Sequence, residues 1–119
     1  MALYVDGYVL PVPTARLTEY RRIARKAGKI WREHGALEYR ECAGQDLDAK
    51  GLVPFPRMAK AKPDETVIFA WIVFKSRADR DRVNAKVMKD PRIAAMGNDP
   101  MPFDTKRMAY GGFRTIVEE

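Results

Sequence analysis

Apolar positions along the chain follow two periods, and their succession predicts the elements. Residues 66–74, TVIFAWIVF, are β-branched and aromatic almost throughout and predict a strand. Residues 3–10, rich in Tyr and Val, predict an earlier strand, ended by Pro11 and Pro13, which cannot donate to a ladder. Thr14 then offers an N-cap oxygen. Leu17, Tyr20, Ile23, Ala24, Ala27, Ile30 and Trp31 recur at helical spacing on one arc, with Arg22, Arg25, Lys26 and Lys29 on the opposite one. Gly35 stops this helix after His34. Residues 36–43, ALEYRECA, predict a second strand despite their charges.

Residues 44–63 form a long connection with three prolines, in which a helical turn near 57–61 is expected. Such an excursion is uncommon in a small domain and often functional. After the 66–74 strand, Ser76 caps a second helix, with Asp79 at the capping-box position. That helix runs to about Lys89 and stops before Pro91. A further turn through Met96 and a loop at 97–102 lead to a last strand at 107–117. There Gly111 and Gly112 mark a bulge or a close backbone approach. The order βαββαβ is the ferredoxin-like split motif. The expected fold is α+β, one domain over 1–119, with two helices on one face of a four-stranded antiparallel sheet.

The third strand carries more. Val67, Phe69, Trp71 and Val73 lie on one face, and Ile68, Ala70, Ile72 and Phe74 on the other. A sheet with one wet face alternates apolar and polar residues, and this strand does not. The helices cover one set only. A homodimer through facing sheets would bury the other; the alternative is that the 44–63 loop folds back as a lid.

Composition narrows the setting. The 119 residues suffice for one domain whose core needs no staple. The single cysteine, Cys42, forms no internal disulfide, which fits a reducing, cytoplasmic compartment. One Cys and one His do not supply the usual zinc ligands, and no metal or cofactor is expected. No apolar run approaches ~18 residues, so no membrane partner is expected, and an N-terminus carrying Asp6 without a basic start is not a signal peptide.

The net charge is +6, and residues 14–34 hold seven Arg or Lys against two Glu. That stripe could attract phosphates, although a solvated helix face is commoner. The strand order also matches the RNA-recognition motif, but TVIFAWIVF lacks the glycine and the basic residue which that motif carries there, so nucleic acid is not expected as a partner. No phosphate-cradling Gly loop, GxSxG or HExxH occurs.

His34, the lone histidine, falls on the apolar side of the first helix and is the candidate acid or base, near Arg40 or Glu38. The plainer role is an imidazole at a helix C-terminus. Glu38, Arg40 and Cys42 share one face of the second strand; Tyr39 and Glu41 share the other. These charges either protect an edge or line a hole in which Arg40 meets a ligand oxygen. Asp6, inside an apolar strand, needs a partner, and Arg107 or Arg40 is expected. Arg80 and Asn84 share an arc with Val83 and Val87; Arg80 points at the sheet or snorkels, and Asn84 must find hydrogen bonds from protein or ligand. Trp31 and Trp71 are expected in the core. Trp71 and Arg107 are also candidate ligand contacts. Cys42 reads as an inert thiol.

The blocks YVDGYVLPVP (4–13), WREHGALEYREC (31–42), the run from FPRMAKAKPDETVIFAWIVF to KDPR (55–92) and MPFDTKRMAYGGF (101–113) resemble the YbaA-like bacterial proteins of unknown function, placed in the dimeric α+β barrel superfamily. The resemblance spans nearly the whole chain. It implies a ferredoxin-like subunit and a twofold dimer of facing sheets, and it implies no activity. The superfamily includes cofactor-independent monooxygenases, muconolactone isomerase-like and chlorite dismutase-like enzymes, and ligand-binding regulators. None of their site patterns matches here residue by residue, and fold alone carries no activity. The expectation is a homodimer holding a small organic molecule between sheet and helices in each subunit, oriented by His34, Arg40, Asn84 and Asp6. Any chemistry would be proton transfer or cofactor-free oxygenation of an activated carbon acid. The alternatives are a nucleic-acid binder acting through the first helix and a non-catalytic structural or stress-related dimer.

Overall fold

The computed structural model describes residues 2–119. Strand β1 is Tyr4–Pro13, helix α1 Leu17–His34, β2 Glu38–Ala43, the short α2 Phe55–Met58, β3 Glu65–Phe74, α3 Arg77–Met88, α4 Pro91–Met96 and β4 Ala109–Arg114. Single 3-10 turns at Thr14–Arg16 and Thr105–Arg107 precede α1 and β4. The sheet is antiparallel with order β2-β3-β1-β4.

The prolines do not end β1, which runs through Pro11 and Pro13 paired to Val67 and Glu65. The last pair with β4 is Val9↔Ala109. Thr14 N–H donates to Asp64 O at 2.9 Å, so even-numbered residues of β1 aim at β3. Pro11 and Pro13 therefore aim where β4 has already ended, and their missing N–H removes no ladder bond. Nor does Thr14 cap α1. Its hydroxyl lies 2.8 Å from that of Thr66, and Arg16 occupies the N-cap without a side-chain bond. The other punctuation acts as expected. Gly35, at φ 122°, ends α1 in a conformation that favours glycine. Ser76 accepts from Asp79 N–H at 3.1 Å at the start of α3. Strand β4 is shorter than expected: it pairs with β1 from Val9↔Ala109 to Tyr4↔Arg114, and Thr105–Arg107 before it form a 3-10 turn.

The helix-covered face of the sheet carries Leu10, Val12, Ile68, Ala70, Ile72 and Phe74, all buried. Phe74, Ile72 and Tyr4 pack with Ile30, Ala36, Val83 and Val87; Leu10, Val12, Ile68 and Ala70 pack toward Leu17, Tyr20 and Phe103. Each large side chain so buried stabilises the fold by about 1.5–3 kcal/mol. Helix α1 approaches β2 closely because Gly28 has no Cβ; one there would lie 2.7 Å from the Tyr39 ring.

The opposite face presents Val5, Val9, Trp71, Val73 and, most openly, Phe69 and Phe113, 45% and 62% exposed. The 44–63 loop covers only one end of it. Gly44 N–H donates to Val67 O at 2.8 Å, and the Phe55 ring sits 6.1 Å from that of Phe69. As a lid the loop is incomplete.

Candidate functional site

Between the covered face of the sheet and helices α1 and α4 lies a cavity of about 300 Å³. The sheet contributes Tyr8, Leu10, Ala70 and Ile72; α1 contributes Tyr20, Ile23, Ala27 and Trp31. Ile93 and Met96 of α4, with Met101, Phe103 and Met108 beyond it, line another side. Glu41 is the one charged side chain of this lining. The strand period of two turns Glu41 and Tyr39 inward together. The Tyr20 hydroxyl donates to Glu41 Oε1, and that of Tyr39 donates to Oε2 at 2.6 Å. Burial, then the Glu41 charge, holds both phenols protonated far above their ordinary range. Tyr8 is raised likewise, by burial first and the Asp6 charge second. The two tyrosines thus remain donors, and the carboxylate is held in one orientation with acceptor capacity to spare.

A second polar chain stands behind the cavity wall. Asp6 is fully buried. Its Oδ2 accepts from Asn84 Nδ2 at 3.3 Å, and Asn84 Oδ1 accepts from Trp31 Nε1 at 2.9 Å. The pair Asp6–Asn84 therefore fixes the indole that forms part of the wall. Arg80 Nε stands 3.4 Å from Asp6 Oδ1, within ion-pair range but without hydrogen-bond geometry. The guanidinium also lies over the Tyr4 ring at 4.9 Å and donates to the Tyr4 hydroxyl at 3.2 Å. The close approach marked by Gly111 and Gly112 is found here, with a regular register and no bulge: a Cβ on Gly112 would meet Arg80 Nη2 at 2.5 Å.

The expected site residues do not converge. Asp6 pairs with Arg80 rather than Arg107 or Arg40, because α3 lays Arg80 over the start of β1, against Tyr4 and Asp6. Arg107 serves elsewhere: it donates to both Glu65 oxygens at 2.6 and 2.7 Å and to Asp104 at 3.0 Å. This pairing, above all, depresses the Glu65 carboxyl to about 2. His34 meets neither Arg40 nor Glu38, whose side chains stand on the other face of β2. Its Nε2 lies 2.8 Å from Asp90 Oδ2. Asp90 in turn caps α4 through Arg92 N–H at 2.9 Å and holds the Arg92 guanidinium, so His34 clasps the end of α1 to the start of α4. Arg40 lies over the Trp71 ring at 5.9 Å on the open face. Trp71 borders the cavity between Ala70 and Ile72, but its indole stacks near Phe69, centroids 5.4 Å apart, and donates to Glu38. Of the expected set, only Asp6 and Asn84 stand together near the cavity.

Glu41, Tyr20, Tyr39, Tyr8 and Trp31 were not among the expected contacts. The available signal was an acid sharing a strand face with Tyr39 opposite the apolar arc of α1. A larger groove of about 850 Å³ follows the free edge of β2, lined by Arg21, Arg25, Lys29 and Arg32 of α1. Among the described residues, no three His, Cys, Asp or Glu come together as a metal site, and no helix is long and apolar enough to cross a membrane.

An antiparallel β2-β3-β1-β4 sheet with its helices on one face defines a ferredoxin-like α+β protein. The backbone is similar, with a TM-score of 0.63 over 100% of both chains and 9% identity, to the crystal structure of a dimeric ferredoxin-like protein from an uncultured marine organism. Residues 3–105 match the family described as "Protein of unknown function (DUF1428)". Over 116 residues, 98% of each chain, the sequence is 43% identical to the uncharacterized protein YbaA of Escherichia coli K12, and equally so to that of Shigella flexneri. The chain belongs to the DUF1428 family, as its sequence blocks led us to expect.

Proposed function

We propose that this protein binds a small organic molecule in the cavity between the sheet and helices α1 and α4, one in each subunit of a homodimer. The observation that carries the binding reading is the fixed carboxylate: an apolar cavity of about 300 Å³ holds one charged group, Glu41, oriented by two hydroxyls. That volume is at the lower end of ligand pockets, roughly 300–1,000 Å³, and apolar walls with a few convergent polar groups are their usual chemistry. Asp6 and Asn84 act at one remove, through Trp31. His34 belongs to the α1–α4 clasp, and Arg40, Trp71 and Arg107 lie outside the set that would orient a ligand. Glu41 is the cavity's proton acceptor and faces no complementary acid other than phenols that hold their protons, which favours binding over turnover.

The dimer rests on the open face of the sheet, where Phe69 and Phe113 are exposed and Trp71 and Val73 are only half-buried. Two copies facing each other would bury both sets. The ferredoxin-like neighbour in fold is described as dimeric, which supports a homodimer.

Methyl-labelled methionines provide the test. A library of small organic molecules should produce saturable shifts at Met96, Met101 and Met108, which line the cavity, and not at the exposed Met88 of α3. If no compound moves the three methyls up to millimolar concentration, the binding reading fails. Sedimentation at micromolar concentration should give twice 13.6 kDa; a clean monomer would remove the facing-sheet dimer.

A further inference from the structure

The charge and aromatic content of the cavity specify its ligand more narrowly. Building on the binding reading, we propose that the ligand is a small organic cation, an amine or quaternary ammonium, seated on Glu41 among aromatic rings. No Arg, Lys or His side chain lines the cavity. Glu41 also borders the α1 groove that carries Arg21, Arg25, Lys29 and Arg32, but none of these lines the cavity; Arg80 is held by Asp6 and Tyr4, and Arg107 by Glu65 and Asp104. An anionic ligand would meet the Glu41 carboxylate with nothing to balance it. A neutral ligand would remove water from that carboxylate and leave only the two phenol hydrogen bonds in its place, which is unfavourable for a charged group. A cation offsets both.

The walls favour the same choice. Tyr8, Tyr20, Trp31, Tyr39 and Phe103 ring the cavity. Trp31 and Tyr39 meet at 38° with centroids 6.1 Å apart, and Tyr20 and Phe103 meet at 74° and 5.7 Å. Rings inclined in this way do not spend both faces on each other. Aromatic faces attract cations through their quadrupole, most strongly where water is excluded. Tyr20 and Tyr39 also turn their hydroxyls to Glu41, so the negative end of the site is fixed before a ligand arrives. The methionines on the α4 side are flexible and adapt to shape, which leaves charge rather than size as the selector.

Matched isosteres decide the matter. The probes are choline against its neutral analogue 3,3-dimethylbutan-1-ol, and phenethylamine against 2-phenylethanol and phenylacetate. Affinity is followed by the methionine methyl shifts and by calorimetry. Each cation should bind at least about tenfold tighter than its neutral partner, with phenylacetate weakest. Glu41→Gln should bring cation and neutral partner to similar affinity, chiefly by weakening the cation. Trp31→Leu should weaken the cations more than the alcohols. If the alcohols or phenylacetate bind as tightly as the cations, the charge inference is overturned and the binding reading stands. If the Met96, Met101 and Met108 methyls respond to none of the five probes, the charge inference is overturned, and the library screen above remains the separate test of the cavity.

Discussion

The two faces of β3 are built from the same kinds of side chain and meet opposite surroundings. Ile72 and Phe74 are buried to 2% and 0% exposure beneath α1 and α3, while Phe69, on the same strand, is 45% exposed. Apolarity in a strand therefore reports a demand for cover and not its source. The helices meet that demand on one face; on the other, the 44–63 loop reaches only the Val67 end. The charged residues divide in a complementary way. On the covered face, Asp6 and Glu41 are held by Arg80, Asn84, Tyr20 and Tyr39. On the open face, Arg40 rests on the Trp71 ring and Glu38 takes its indole N–H. Charge withdrawn from water must be partnered: Asp6 is fully buried, and half-buried Glu41 is held by two hydroxyls, which fix its carboxylate in the cavity.

The comparison breaks most sharply with paired truncations. Phe74→Ala removes a fully buried ring and should destabilise the fold by about 3–5 kcal/mol in urea unfolding. Phe69→Ala should cost the isolated subunit about 1 kcal/mol or less, and Phe69→Asp should move the sedimenting species to the monomer with an unchanged far-ultraviolet spectrum. Equal losses for Phe74→Ala and Phe69→Ala would mean that both faces are core within one chain.

Gly28→Ala probes how closely the covered face is packed. Its Cβ would strike the Tyr39 ring, which is rigid and tied to Glu41, and overpacking of this kind costs about 1–3 kcal/mol. Thermal melts should show that loss together with weaker cavity binding. An unchanged melting temperature would show that α1 can lift from β2 freely.

The rim gives a smaller, pH-dependent effect. Arg107 holds the folded-state Glu65 carboxyl at about 2, against an ordinary value of 4.5. A depressed acid contributes stability that is complete above its unfolded value and is lost as pH falls through its folded one. Wild type should therefore exceed Arg107→Gln by about 1 kcal/mol near pH 6, and the gap should close between pH 4.5 and 2. A gap independent of pH would assign the role of Arg107 to packing. The smallest effect is expected at the α1–α4 clasp. His34→Ala should lower stability by under about 1 kcal/mol and leave cavity binding intact, because Arg92 remains the main partner of Asp90. A loss of binding would return His34 to the site.

The sequence by itself determined the succession of strands and helices, the Gly35 stop, the Ser76 cap and the unusual apolarity of both β3 faces. These are local matters of propensity, backbone freedom and period, legible within a dozen residues, and together they specify the ferredoxin-like order. Only the tertiary structure decided which alternate set of each strand turns toward the helices. A period of two separates Glu41 from Arg40 without saying which is inside, and attention to the lone histidine and the arginines drew the expected site toward residues that the fold holds apart. The partners of Asp6 and His34 were likewise hidden, since Asn84 lies 78 residues from Asp6, and Asp90 lies 56 from His34. Such pairs exist because α3 and α4 return across the sheet, and residue type alone could not distinguish Arg80 from Arg107 as the cation that meets a buried aspartate.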